Sequence, residues 1–204
     1  GWAMRQRGKG RHFNSQVLMS PGMACMSQVD SLLEFLRSRR SIRKFKPEPP
    51  PRELLLKVID AARFAPSAKN SQPWRFIIVE DPEVKSRLAR IHPFAKPLES
   101  APVAIVVACC IDESPLSYML DCSAATVYLL LAAHAVGLGT VWIQTLRNIE
   151  EIRKILEMPQ NTVPVALIAV GYPDEKPSPP QRKPLSELVF VNKYGAKLAS
   201  LGRS

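Results

Sequence analysis

Apolar positions along this chain recur with two different periods. Val29, Leu32, Leu33 and Leu36 fall at i, i+3, i+4 and i+7, which predicts an amphipathic helix starting near Ser27 or Asp30 and delivering Arg39 to Arg43 at its C-terminal side. Pro47, Pro49, Pro50 and Pro51 then impose an extended linker. Pro51 is placed to open a second helix with Leu54, Leu55, Val58, Ile59 and Ala62 as its apolar face, and Pro66 ends it. Trp-Arg-Phe-Ile-Ile-Val from Trp74 to Val79 reads as the first strand, and Asp81-Pro82 starts a short helix that runs to about Ile91. Val103 to Ile111 is apolar on both sides, the mark of a central strand. From Tyr118 to Ala135 apolar residues occupy nearly every side, which predicts a helix buried all round, with Gly137 as its stop. Thr140 to Ile143 and Val163 to Val170 are further strands, separated by a short charged helix from Ile149 to Leu156. Beyond Gly171-Tyr172-Pro173 the chain is rich in proline as far as Pro184 and reads as an arm leaving the body.

Composition narrows the class. The 204 residues are 46% hydrophobic and 23% charged, ordinary values for one globular domain. The net charge of +10 is unevenly spread. Residues 1–25 hold Arg5, Arg7, Lys9 and Arg11 and no acid, and they read as an extension ahead of a natural start at Met26. From Arg37 to Lys46 six more cations occur without an acid, leaving the remainder near neutral. A nucleic-acid reader spreads its cations along a face among aromatics. Here aromatics are only 7% and the cations are local, a pattern that points to a small anion site and makes a basic nucleic-acid-binding domain the weaker alternative. Cys25, Cys109, Cys110 and Cys122 form no CxxC pair and no zinc spacing. Cys109 and Cys110 read as buried filler in a strand, which implies a reducing, cytoplasmic setting. No run approaches the roughly 20 uninterrupted apolar residues of a membrane span.

Two motifs carry the chemistry. Arg39-Arg40-Ser41-Ile42-Arg43-Lys44-Phe45 sets cations beside a hydroxyl, a donor set suited to a phosphate monoester. A helix C-terminus repels anions through its dipole, so these side chains must supply the attraction. Ala65-Pro66-Ser67-Ala68-Lys69-Asn70-Ser71-Gln72-Pro73-Trp74 offers amides, a hydroxyl and proline-stiffened backbone to a flat polar heterocycle. Taken singly, the first reads more readily as a solvated helix end and the second equally as a polar turn; together they suggest a phosphorylated planar cofactor. His12, His92 and His134 have no partners in sequence, and His134 reads as a hydrogen-bonded core histidine. GxGxxG, P-loop, GxSxG and HExxH motifs are absent.

The order Arg-Arg-Ser-Ile-Arg, Ala-Pro-Ser-x-x-Asn-Ser-Gln-Pro-Trp-Arg-Phe, Gly137-Leu-Gly-Thr-Val-Trp-Ile143, Gly171-Tyr-Pro and Arg182-Lys-Pro-Leu resembles the nitroreductase-like flavoprotein family over about Ser27 to Val189. The resemblance implies an α+β, three-layer fold: a mixed, mostly antiparallel sheet of four or five strands flanked by helices, with the Tyr118–Ala135 helix at the centre of a homodimer. It implies one domain over 26–204, with a C-terminal arm from about residue 174 wrapping the partner. It also implies FMN as cofactor. Arg39, Arg40 and Ser41 match the opening cofactor motif, with Arg39 and Ser41 on phosphate or ribityl oxygens and Arg43 on the pyrimidine side of the ring. Pro66 and Ser67 would come from the partner subunit. Asn70 would meet the ring near its reactive edge, Gln144 and Thr145 the N5 and O4 region, and Arg182, with Lys183 as second choice, the phosphate.

Gln144 stands where many members of that family place an acid. Between Ile111 and Tyr118 there is only a short loop, where deiodinase-like relatives need a longer lid. The function implied is hydride transfer from NAD(P)H through flavin N5 to a flat acceptor such as a nitroaromatic, quinone or free flavin, by ping-pong turnover and with no catalytic side chain or metal. A flavin-binding storage or sensor protein without turnover is the other reading.

Overall fold

The computed structural model describes residues 27–198; the extension assigned to residues 1–25 lies outside them. The chain divides into two compact units, residues 1–35 and 36–204. Of the first, what is described is the start of α1 (Gln28–Ser38), whose apolar positions Val29, Leu32 and Leu33 are exposed, as is Leu36 at the head of the second unit.

The second unit holds α2 (Arg52–Ala62), β1 (Trp74–Val79), α3 (Pro82–Ala89), β2 (Val103–Cys110), α4 (Tyr118–Ala135), β3 (Gly139–Ile143), α5 (Ile149–Ile155), β4 (Thr162–Gly171) and α6 (Leu185–Leu188). The periodicity places each of the four strands and the helices α2 to α5 to within about two residues. It misses α6 and the 3-10 turns at 68–70, 93–99 and 111–113, whose proline and polar sequences carry no apolar period. Asp81 caps α3, accepting from the amides of Glu83 (2.9 Å) and Val84 (3.0 Å), with Pro82 in the first turn.

The sheet order is β1-β2-β4-β3 with every ladder antiparallel. An isolated parallel bridge ties Ser41, outside the strands, to Thr140 of β3; the four-stranded sheet itself is antiparallel throughout. β2 and β4 are central and covered on both faces. Ile105, Val107 and Cys109 of β2 join α2 and α4 in one cluster, while Ala104 and Val106 join Leu88, Leu98 and Ile152 in another. This alternation creates three layers. Between Val107 and Ala108 the register shifts, leaving Val165 of β4 as an extra residue beside Pro164, a place where a strand tolerates a residue without an N–H. The Val165 carbonyl is satisfied by the Thr145 hydroxyl at 3.0 Å.

Three expectations change. Cys109 and Cys122 form a disulfide between β2 and α4, so Cys109 is not mere filler. Both are fully buried and come together only because α4 crosses the end of β2, which leaves the reducing setting without its basis in cysteine usage. Next, α4 is not buried all round: Asp121, Cys122, Ala125 and Leu129 face inward, while Leu120, Val127 and Tyr128 are exposed. Among the described residues it is also the one helix long and apolar enough, by those measures alone, to cross a membrane. Its inner face packs on β2, β3, β4 and α2 as a core helix does. Finally, the proline-rich stretch does not leave the body at Pro173. Phe45 bridges Pro173, Lys46 N–H donates to the Tyr172 carbonyl (2.9 Å) and Asp174 N–H to the Lys44 carbonyl (2.9 Å). His134 is hydrogen-bonded as expected, its Nε2 lying 2.8 Å from the Ser38 hydroxyl, but it is half-buried instead of sitting in the core.

These contacts explain two motif glycines. A Cβ on Gly139 would lie 2.9 Å from Ile42, and one on Gly171 would lie 2.8 Å from Pro102 and 3.1 Å from Phe45. Backbone at both positions is the floor on which the arginine segment rests. Gly139→Ala should therefore displace buried Ile42 and cost about 1–3 kcal/mol, a fall of roughly 2–4 °C in Tm per kcal/mol for a domain of this size. A melting curve that superimposes on wild type would show that Ile42 is not seated on Gly139.

Candidate cofactor site

The arginine segment and the stretch after β4 meet at a cleft of about 240 Å³ lined by Arg39, Arg40, Ser41, Arg43, Ser178 and Arg182, with Pro177 and Pro180 completing it. Among the described residues no carboxylate lines it. Burial lowers the Arg39 guanidinium below its ordinary pKa, and the nearby Arg182 and Arg40 charges lower it further. Like charges held this close are self-repelling until an anion enters. Arg40 is already committed: its Nη1 donates to the carbonyls of Arg37 (2.7 Å) and Arg39 (2.9 Å), closing the last turn of α1. Arg39 and Arg182 are thus the guanidinium groups best placed to bind an oxyanion, with Arg40 adding field.

Arg43 also lines a second, larger cleft of about 710 Å³, well within the range for a cofactor-sized ligand. Phe94, Pro97 and Trp142 give it flat apolar walls, and Lys44 and Lys96 add positive charge against Glu99 and Glu175. Glu175 braces the segment from behind, accepting from the amides of Arg43 (2.5 Å) and Lys44 (3.2 Å). The end of β3 supplies Gln144, whose carbonyl accepts from His92 Nε2 at 2.7 Å. The Gln144 side-chain oxygen accepts from the amides of Thr145 (3.1 Å) and Leu146 (3.3 Å), leaving its NH2 as the free donor.

The turn from Pro66 to Gln72 lines neither of these clefts. Lys69, Asn70 and Gln72 all have positive φ, at 54°, 53° and 50°, left-handed conformations that non-glycine residues seldom adopt, with right-handed Ser71 between the last two. Local bonds support it: Gln72 N–H donates to the Ser67 hydroxyl (3.1 Å) and Gln72 Nε2 to the Asn70 carbonyl (3.1 Å).

The fold therefore brings Arg39, Arg40, Ser41, Arg43 and Arg182 together and joins Gln144 to them through Arg43. It does not bring Pro66, Ser67 and Asn70 to the same clefts within one chain. Thr145 is fully buried with its hydroxyl on Val165, so its side chain anchors the strand end instead of facing a ligand. Lys183 is exposed and lines neither cleft. Sequence reasoning missed Lys96, Phe94 and Glu175. Lys96 and Phe94 sit in a 3-10 segment without periodicity, and only the acid directly following Gly-Tyr-Pro-Asp could have drawn attention to Glu175.

The Nitroreductase family profile matches residues 36–97 and 94–172. A Methanothermobacter thermautotrophicus protein, provisionally named NADH dehydrogenase/NAD(P)H nitroreductase, is 40% identical over 157 residues, covering 74% of this chain and 82% of the relative. An iodotyrosine deiodinase from Thermotoga neapolitana is 31% identical over 179 residues, covering 74% and 94%. Among solved structures, an FMN-dependent nitroreductase from Clostridium difficile is similar at a TM-score of 0.73 and 33% identity, covering 79% of this chain and 99% of that one. With the family profile spanning both arginine-bearing segment and sheet, and a relative this similar over most of both lengths, the chain belongs to the Nitroreductase family.

Proposed function

We propose that the protein is an FMN-dependent oxidoreductase that takes reducing equivalents from NAD(P)H and passes them to a flat acceptor. The observation that carries this reading is the carboxylate-free cluster of Arg39, Arg40 and Arg182 opening, through Arg43, onto an apolar-walled cleft large enough for a ring system. A phosphate monoester fits the first, and a tricyclic heterocycle fits the second.

Arg39, Ser41 and Arg182 bind the phosphate, and Arg43 places its cation at the pyrimidine side of the ring. The NH2 of Gln144, presented by a carbonyl that His92 fixes, is a donor toward the ring edge. Trp142 and Phe94 shield the ring from water. Flavin, when bound, supplies the two-electron redox chemistry, and the protein supplies orientation and electrostatics. One nucleotide-sized cleft serves donor and acceptor in turn. Only residues 114–117 separate the 3-10 turn from α4, too few for a lid, which supports a quinone, nitroaromatic or flavin acceptor over an iodotyrosine.

A homodimer completes the site. Leu116, Leu120, Val127 and Tyr128 around α4 and Leu185, Leu188 and Tyr194 in the tail are exposed apolar groups that a second copy would cover. In that assembly Pro66, Ser67 and Asn70 would reach the partner's ligand. The tail that wraps the partner begins after Arg182 instead of at residue 174, because residues 173–175 bond their own chain and Pro177, Ser178, Pro180 and Arg182 line the arginine cleft. A cytoplasmic location accords with use of NAD(P)H.

Anaerobic titration tests the function: a yellow protein that bleaches with NADH or NADPH and gives parallel initial-rate lines against a quinone is expected. Yellow protein that neither nucleotide reduces would mean a flavin carrier, and colourless protein that flavin cannot reconstitute would end both readings. For the clamp, each charge-assisted bond contributes about 1.5–3 kcal/mol. Arg39→Ala should thus weaken FMN at least about tenfold while barely changing riboflavin, which lacks the phosphate; equal losses in fluorescence titrations would refute the assignment.

For the dimer, an interface this apolar belongs to the class burying about 2,000 Å² or more. Deleting residues 184–204 should shift sedimentation to the monomer. A truncated chain that remains a dimer would remove the tail from the interface.

A further inference from the structure

One buried carboxylate ties the left-handed turn to the core. Asp121, in the first turn of α4, is 6% exposed. Its Oδ1 accepts the Ala68 N–H at 3.1 Å, and its Oδ2 accepts the hydroxyls of Ser114 at 2.7 Å and Ser71 at 3.5 Å. None of these bonds goes to the amides of its own helix, so the carboxylate is not a cap. All three donors are neutral, and two of them bracket Lys69 and Asn70, whose positive φ values make the turn costly to hold. The neighbouring Cys122 fixes the same helical turn to β2 through the disulfide to Cys109. Asp121 is thereby mounted on a rigid base and reaches outward to a strained segment.

We propose that Asp121 is a positioning residue for the cofactor of the proposed homodimer: it does not touch the ligand but holds residues 67–71 in the one shape that presents Ser67 and Asn70 to the flavin ring bound by the second copy. This rests on the flavin reading above. If the turn is free to leave that shape, only a fraction of molecules is competent to bind, and apparent affinity falls by that fraction. Because the turn addresses the ring and not the phosphate, the loss must be the same for FMN and for riboflavin. This separates Asp121 from the arginine clamp.

The test compares wild type, Asp121→Ala and Asp121→Asn in the full chain by hydrogen exchange of the Ala68 amide and by titration with both flavins. Ala68 is exposed, so its amide owes its protection to the carboxylate. Asp121→Ala should speed that exchange about tenfold or more and weaken FMN and riboflavin alike, by about fivefold or more. Asp121→Asn keeps an oxygen for the Ala68 N–H and turns its NH2 toward the two hydroxyl oxygens. It should return all three readouts to within about threefold of wild type.

Unchanged exchange in Asp121→Ala, a loss confined to FMN, or an Asn variant as impaired as the Ala variant would each overturn the proposal. Should Asp121→Ala fail to fold, the Ala68 amide of the wild-type protein decides: slow exchange supports the tether and exchange at the unprotected rate refutes it. A wild-type protein that binds neither flavin would instead defeat the proposed function, and the exchange comparison would still decide whether Asp121 holds the turn.

Discussion

Everything at the candidate site depends on the burial of β2 and β4 on both faces. Their side chains alternate between the α2/α4 layer and the α3/α5 layer, and removing that much apolar surface from water is the dominant favourable term available to a domain of this size. With the two central strands immobile, their ends become fixed points. One end of β4 seats Phe45 over Gly171, and the neighbouring start of β3 seats Ile42 over Gly139. The arginines between and before these two residues are therefore positioned by hydrophobic packing, although their own work is electrostatic.

That division of labour resolves how a self-repelling set of cations persists. Arg39, Arg40 and Arg182 gain nothing from one another, and among the described residues no carboxylate lines their cleft. Backbone geometry holds them: Arg40 is folded onto carbonyls at the end of α1, Glu175 grips the amides of Arg43 and Lys44, and Arg182 arrives on a proline-stiffened stretch. Free energy from the core is stored as uncompensated positive potential, which a dianionic phosphate can release. Surface ion pairs elsewhere, such as Arg63 with Asp60 and Arg75 with Glu113, are exposed and contribute little to stability.

The same logic runs through the turn at residues 67–72. A turn with three left-handed residues and no glycine is held by its own local bonds and by one carboxylate projecting from the helix that the disulfide pins to β2. Core packing, covalent tether, carboxylate and turn form a chain in which each link fixes the next. Apolar groups on α1, α4 and the tail stay exposed where that chain ends within one polypeptide, the surface to which the proposed homodimer assigns a second copy.

The sequence by itself determined the elements with strong periods: four strands, helices α2 to α5, the central place of β2, and the family, whereas the central place of β4 emerged only from the sheet order. The acid-free cation run also drew attention to Arg39, Arg40, Ser41 and Arg43 through its local chemistry, whereas Arg182 stood out only through the family resemblance. Only the tertiary structure decided what depends on distant residues meeting. Periodicity cannot see that Cys109 and Cys122 face each other, that Thr145 turns inward to a bulge carbonyl, that Glu175 and Lys96 border the larger cleft, or that residues 173–175 bond back to their own body. Nor could it show Asp121 reaching a turn some 50 residues earlier in the chain. Local patterning records which face of an element is dry, whereas a site is made by side chains whose separation in sequence bears no relation to their separation in space.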